Sequence, residues 1–282
     1  MPSPPIAILA CPVCESPLTI GGATATCPRN HSFDIARQGY VNLLLPDKRH
    51  SPEPGDSPDM LRHRRSFLQA GYYDAVATAT SETVAALLAG RPSAHLADLG
   101  CGEGFFLTKL HAYLGQTAAV ACIGVDISRA GVKMAAANER QITWVVASLH
   151  HSPFLPASLD VALSMFSPIA TTDLKRVLKS DGIVVTVTPG PDHLDTLRAV
   201  IYPAVTPHAI VPAPIAADAD FVTVSSTRVQ YRVAIESPAQ IMNLLAMTPF
   251  YWNISLETKA RVEALARLDV TVDVSINAFR NR

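Results

Sequence analysis

Several features are scarce in this 282-residue chain, and each scarcity removes a class of protein. Five cysteines, four of them in motif positions, do not make a disulfide scaffold and fit a reducing compartment. No stretch of about 18 residues runs apolar without polar interruption, so no membrane span is expected. The opening Met1-Pro2-Ser3-Pro4-Pro5 has neither the basic region nor the apolar run of a signal peptide. A soluble, cytoplasmic protein is expected. Charge of one sign is missing too. Twenty-three Lys and Arg against 24 Asp and Glu give a net charge of −1, so no global basic field draws nucleic acid. Such a partner would need a local patch. No internal repeat is present. The apolar share of 49% does supply a well-buried core. The 22 prolines gather at Pro46 to Pro58, Pro153 to Pro168 and Pro203 to Pro214, which marks connections.

Against that background the first forty residues stand out. Cys11-Pro12-Val13-Cys14 is followed, after twelve residues able to fold back as a hairpin, by Cys27-Pro28-Arg29-Asn30-His31. This C-x2-C…C-x3-H spacing brings three thiols and an imidazole together from two tight turns. Four N/S ligands suit tetrahedral, closed, structural Zn²⁺. A redox C-x-x-C would not need the second half. Residues 1–45 are read as a zinc-binding ribbon, 46–72 as a linker and first helix, and 73–282 as the main domain.

Downstream the pattern alternates. Helices are expected from Pro58 and over Tyr73 to Leu88. Strands are expected over Ala94 to Leu99, Ala119 to Val125, Trp144 to Val146, Leu159 to Phe166 and Ile183 to Thr188. Helices intervene at Phe105 to Leu114, Ala130 to Asn138 and Thr172 to Leu178. That pace means βαβ units and a parallel sheet. Late strands are expected over Phe221 to Val233 and Val270 to Ala278, with helices over Pro238 to Leu245 and Leu256 to Leu268.

The first strand ends in Asp98-Leu99-Gly100-Cys101-Gly102-Glu103-Gly104. Glycines let the backbone turn tightly and pass close to a ligand. Dinucleotide folds share such a loop, but Asp98 and Glu103 would repel a pyrophosphate. They suit a cofactor with a cationic amino-acid portion and no phosphate. Asp126 ends the next strand, where a carboxylate can accept both ribose hydroxyls. Asp98, Gly100, Gly102 and Asp126 together describe S-adenosylmethionine on a class I Rossmann-like methyltransferase. Ser148 stands where an acidic residue often meets adenine. Met165-Phe166-Ser167-Pro168 replaces the Asn-Pro-Pro-Tyr type of motif, and Phe166 is placed at the acceptor pocket or in packing.

These segments resemble the RlmA family of 23S rRNA guanine-N1 methyltransferases over essentially the whole chain. The carriers are the two zinc turns, the run from Phe33 through Gly39-Tyr40-Val41-Asn42 to Leu44, and Pro54-Gly55-Asp56-Ser57. Further carriers are Arg64 to Tyr73, the glycine loop, Thr188 to Leu194 and Met247-Thr248-Pro249-Phe250-Tyr251-Trp252. The resemblance implies a zinc ribbon fused to a class I methyltransferase domain, often dimeric. It implies transfer of a methyl group to N1 of a guanine in the hairpin 35 loop of 23S rRNA. It carries zinc binding to Cys11, Cys14, Cys27 and His31, and S-adenosylmethionine contact to Tyr73, Gly102, Glu103 and His193. The sequence looks closer to the branch without a role in resistance to tylosin-type macrolides.

Guanine N1 carries a proton that must leave as the methyl arrives. Asp56, Asp59, His150 and His151 are candidates to take it, and none is assigned. The target base must leave its stack, and Phe166, Phe250, Tyr251 and Trp252 are possible platforms. RNA binding would require Arg37, Lys48, Arg49, Arg62, Arg64 and Arg65 to gather on one face. The competing readings are a small-molecule methyltransferase, which would lack the zinc module, and a non-catalytic RNA-binding protein.

Overall fold

The computed structural model describes residues 6–46, 54–115, 119–202 and 214–282. Near the N-terminus, β1 (Thr19–Gly21), β2 (Thr24–Thr26) and β3 (Ser32–Asp34) form a small antiparallel sheet. The β1–β2 hairpin occupies the stretch between the two cysteine turns, as the spacing suggested. The next strand, β4 (Tyr40–Asn42), leaves that sheet. It pairs in parallel with β7 (Thr143–Val146), with Tyr40 opposite Trp144.

The ribbon is therefore stitched into the main body. Leu9 bridges Phe154, Ala10 N–H donates to Pro153 O at 2.9 Å, and Leu155 N–H donates to Ile8 O at 2.9 Å. The reason lies in β7, whose four residues are all buried. A parallel strand buried on both faces makes a poor open edge, and β4 covers it.

The main body follows the expected alternation. Its elements are α1 (Pro58–Gln69), α2 (Asp74–Leu88), β5 (Ser93–Leu99), α3 (Phe105–Leu114), β6 (Ala119–Asp126), α4 (Arg129–Asn138) and β7. They continue with β8 (Leu159–Met165), α5 (Thr171–Val177), β9 (Leu178–Pro189), α6 (Asp195–Ile201), β10 (Phe221–Ile235), α7 (Pro238–Ala246), α8 (Leu256–Glu263) and β11 (Leu268–Asn281). The large sheet has the order β10-β11-β9-β8-β5-β6-β7-β4; β11 pairs antiparallel with both β10 and β9, and the other pairs are parallel. The order reverses at β5, which lies between β6 and β8. A switch point opens a crevice beyond the strand ends, and the glycine loop leaves β5 there. Alternate strand residues feed opposite faces: Leu96, Val161 and Val185 pack on one, Ala97, Ala162 and Val184 on the other.

Two boundaries and one helix differ from expectation. Helix α8 stops at Glu263, because Leu268 is already paired with Ile235 in the sheet. Strand β9 begins at Leu178, before the turn expected to close α5. Its partners jump from Leu159–Leu178 to Val161–Ile183, so 179–182 bulge, with Asp181 at φ 61°. Helix α6 had no sequence reading. Among the described residues no helix is long and apolar enough to cross a membrane.

Candidate active site and metal centre

The two cysteine turns converge. One closes through Glu15 N–H to Cys11 O at 2.8 Å, the other through Asn30 N–H to Cys27 O at 2.9 Å. The ligand atoms of Cys11, Cys14, Cys27 and His31 all lie within 4.8 Å of one another. Cys14 Sγ is 3.6 Å from Cys27 Sγ, and His31 Nδ1 is 3.4 Å from Cys27 Sγ and 3.5 Å from Cys11 Sγ. Tetrahedral zinc with bonds of about 2.3 Å needs edges near 3.8 Å. The four groups already stand close to that spacing, and the cysteines are free thiols.

The second site is a cleft of about 770 Å³ at the switch point. Tyr73, Asp98, Gly100, Gly102, Glu103, Asp126 and His193, the seven residues singled out from the sequence, all line it. Asp98, at the end of β5, is 1% exposed, and its Oδ1 has no hydrogen-bond partner. Burial, reinforced by the nearby Asp126 carboxylate, pushes its carboxyl up to about 8. Glu103 is raised to about 7 by burial, opposed by Arg64 and Arg65. The loop is pinned by Gly100 N–H to Val125 O at 2.8 Å. Gly100 has φ +91°, and a Cβ there would lie 2.6 Å from Ser167 Cβ. Gly104, before α3, has φ +86°, and a Cβ would lie 2.7 Å from Trp144. Neither position admits a side chain.

Asp126 differs from the simplest expectation. Its Oδ2 accepts from Gly102 N–H at 2.8 Å and its Oδ1 from Ser128 N–H at 2.7 Å. It braces the loop first, and each oxygen keeps a second lone pair. Tyr73 is buried with its hydroxyl 3.2 Å from His193 Nε2. Phe166 has φ 54°, a sparsely populated region for a bulky residue. Its ring lies 6.3 Å from Tyr73, 6.2 Å from Phe106 and 6.0 Å from His193, and is partly exposed.

The model of the RlmA N-terminal zinc ribbon matches residues 9–52, and a methyltransferase-domain model matches 96–182. A Bacillus subtilis protein, YxjB, named as a candidate 23S rRNA (guanine-N(1)-)-methyltransferase, is 30% identical over 94% of this chain and 94% of its own. A Micromonospora griseorubida protein of similar name is 32% identical over 97% of each. The 23S rRNA (guanine(748)-N(1))-methyltransferase of Streptomyces fradiae is 32% identical over 67% of this chain and 66% of its own. The chain belongs to the RlmA family.

As a member of that family it is an S-adenosylmethionine-dependent methyltransferase with a structural zinc ribbon. The cleft fits the cofactor on its own evidence of chemistry. A buried carboxylate oxygen without a donor invites a cation, and the glycine cradle leaves backbone open to a close ligand. The volume lies within the ~300–1,000 Å³ usual for small-molecule sites.

Arg62, Arg64 and Arg65 do not share a face. At 100° per residue Arg64 points away from the other two. Arg64 lines the cleft, pairs with Asp56 and donates to Met247 O at 3.3 Å. Arg62 pairs with Asp59, and Arg65 donates to Asn138 Oδ1 at 3.0 Å. Lys48 and Arg49 lie outside the described residues. Of the proton-acceptor candidates, Asp56 and His150 line the cleft, whereas Asp59 and His151 pair with Arg62 and Glu15 elsewhere. Phe250 lines the cleft; Tyr251 and Trp252 do not, and Trp252 is exposed. Sequence reasoning missed Arg64 as a cleft residue, although helical periodicity carried the signal.

Proposed function

We propose that this chain transfers the methyl group of S-adenosylmethionine to N1 of a guanine in the hairpin 35 loop of 23S rRNA. One observation supports the reading most: a single cleft has carboxylates at one part, Asp98, Glu103 and Asp126, and an aromatic wall at another, Tyr73, Phe106 and Phe166. The relatives' names supply the rRNA substrate. When bound, the cofactor supplies an electrophilic methyl. The chain's residues orient the two partners and exclude water. Asp126 accepts the ribose hydroxyls on its remaining lone pairs, Ser148 meets adenine, and Asp98 and Glu103 face the cationic portion. Tyr73 and His193 complete the cofactor contacts. The half-exposed Phe166 ring stacks the extruded guanine. An rRNA substrate fits a cytoplasmic enzyme. The homodimer implied by the resemblance stays an expectation, to be read by light scattering.

The enzyme is expected to convert a 23S rRNA transcript and labelled cofactor into labelled N1-methylguanosine, detected after nuclease digestion. Label on a small acceptor and none on the transcript would overturn the proposal. Asp126→Ala should weaken cofactor binding by ~1–3 kcal/mol, since two amides and the hydroxyl acceptor are lost together. Calorimetry showing unchanged affinity would remove Asp126 from the site.

Asp98 gives a pH prediction. Its folded value, about 8, lies above the ~3.9 of an unfolded chain. The folded state therefore binds more protons between those values, and stability without cofactor falls as pH rises through that window. A cationic ligand draws Asp98 into its ionised form. Close to one proton from Asp98 and about half of one from Glu103 should be released per cofactor bound at pH 7, read by calorimetry in buffers of different ionisation enthalpy. Asp98→Asn should abolish most of that release; equal release in the variant would remove Asp98 from the account.

A further inference from the structure

Behind the cleft, on the antiparallel side of the sheet, lies a fully buried carboxylate that the reading above does not use. Asp273 sits in β11 with 0% exposure. Its Oδ1 accepts from Arg228 Nε at 2.7 Å. Its Oδ2 accepts from Arg228 Nη2 at 2.9 Å and from Asp192 N–H at 3.0 Å. Burial works against this charge, and the Arg228 guanidinium and the Asp192 amide outweigh it, so the carboxyl stays below its ordinary value. Buried ion pairs commonly add little stability over an apolar packing, which turns attention to what this one arranges.

It arranges the 190–194 turn. Gly190 N–H donates to Asp273 O at 2.8 Å, and Leu194 N–H to Thr271 O at 2.8 Å. Gly190 makes room for the carboxylate, since a Cβ there would lie 2.5 Å from Asp273 Oδ1. The turn delivers His193, whose Nδ1 accepts the backbone N–H of Asp273 at 3.2 Å. A ring nitrogen that accepts an N–H carries no proton of its own. Neutral His193 then holds its proton on Nε2. That N–H donates to the Tyr73 oxygen at 3.2 Å. Among the described residues no acceptor stands within hydrogen-bonding distance to take the Tyr73 hydroxyl proton, and the residue lines the cleft.

We propose that Asp273, clamped by Arg228, is a positioning residue: it fixes the turn so that His193 carries its proton on Nε2 and the Tyr73 hydroxyl presents a donor to the cofactor in the cleft. This rests on Tyr73 and His193 being cofactor contacts. A donor there suits an anionic or carbonyl oxygen, such as the carboxylate of an amino acid.

The test uses full-length, zinc-loaded enzyme with ¹⁵N-labelled histidine. Long-range ¹H–¹⁵N spectra, assigned against His193→Gln, should show a neutral His193 with protonated Nε2 and bare Nδ1. Arg228→Ala, at a half-exposed position on the sheet face, should give a tautomer mixture and raise the cofactor Kd about tenfold. Arg228→Lys should recover part of both. Asp273→Asn should act in the same direction and more strongly; if it fails to fold, Arg228→Ala carries the test. A proton on Nδ1 in the unmutated enzyme overturns the proposal. So does an Arg228→Ala enzyme with unchanged tautomer and affinity within twofold. Tyr73→Phe separates the two levels: unchanged cofactor affinity there defeats the assignment of Tyr73 as a contact, whereas the tautomer result judges Asp273.

Discussion

Cys27→Ser is expected to strip zinc from the ribbon and to abolish rRNA methylation while leaving cofactor binding nearly intact. Cys27 is buried and its sulfur approaches both Cys14 Sγ and His31 Nδ1, so it sits at the centre of the ligand set. Structural zinc binding supplies roughly 10–16 kcal/mol of folding free energy in ribbon-sized peptides. The β1–β3 sheet is too small to hold its turns without that contribution. The main body is different. The apolar layer of the body that includes Tyr73 and Leu96 holds no zinc ligand, only the other layer takes in Cys11 and Cys27, and the cleft residues begin beyond the ribbon. Damage should stop near β4, whose pairing with β7 ties the ribbon to the body. Metal analysis should fall from one zinc per chain to a small fraction after dialysis. The thermal transition of the body should persist. A full zinc equivalent in the variant would remove Cys27 from the ligand set.

Gly100→Ala should be the most damaging single-methyl change in the cleft. The added carbon meets Ser167, and the backbone there has φ +91°. The strain costs ~1–3 kcal/mol and the overpacking a similar ~1–3 kcal/mol. Relief would require the 166–168 turn to move. That turn carries Phe166, held by its own N–H to Val187 O at 2.9 Å. Cofactor affinity should drop more than tenfold, with a fall in melting temperature of roughly 5–10 °C. Calorimetry and a thermal melt check both. A variant that melts lower and binds normally would mean that the loop supports the fold without touching the ligand.

Much of this is legible in the sequence alone. The zinc turns were readable because tight-turn spacing is local. The glycine loop was readable because its chemistry, carboxylates among glycines at a strand end, is also local. The parallel core strands declared themselves as short apolar runs. What stayed hidden is non-local or conformational. Asp273 and His193 are 80 positions apart and meet only because β11 inserts beside β9. The three residues of β4 look like the end of the ribbon, and nothing in them announces a partner a hundred residues away. A left-handed Phe166 leaves no trace in composition. Arg64 belongs to a basic run along the chain, and only the turn of the helix carries it away from Arg62 and Arg65 into the cleft. The bulge in β9 hid in a Lys179-Ser180-Asp181-Gly182 segment that reads as an ordinary turn.

The most direct measurement is reverse transcription across 23S rRNA from cells with and without this protein. N1-methylguanine cannot form its Watson–Crick pair, so the transcript stops one nucleotide before it. A single protein-dependent stop beside a guanine in the hairpin 35 loop is expected, restored by the intact gene and not by Gly100→Ala. Identical stop profiles in the two strains would contradict the proposed function.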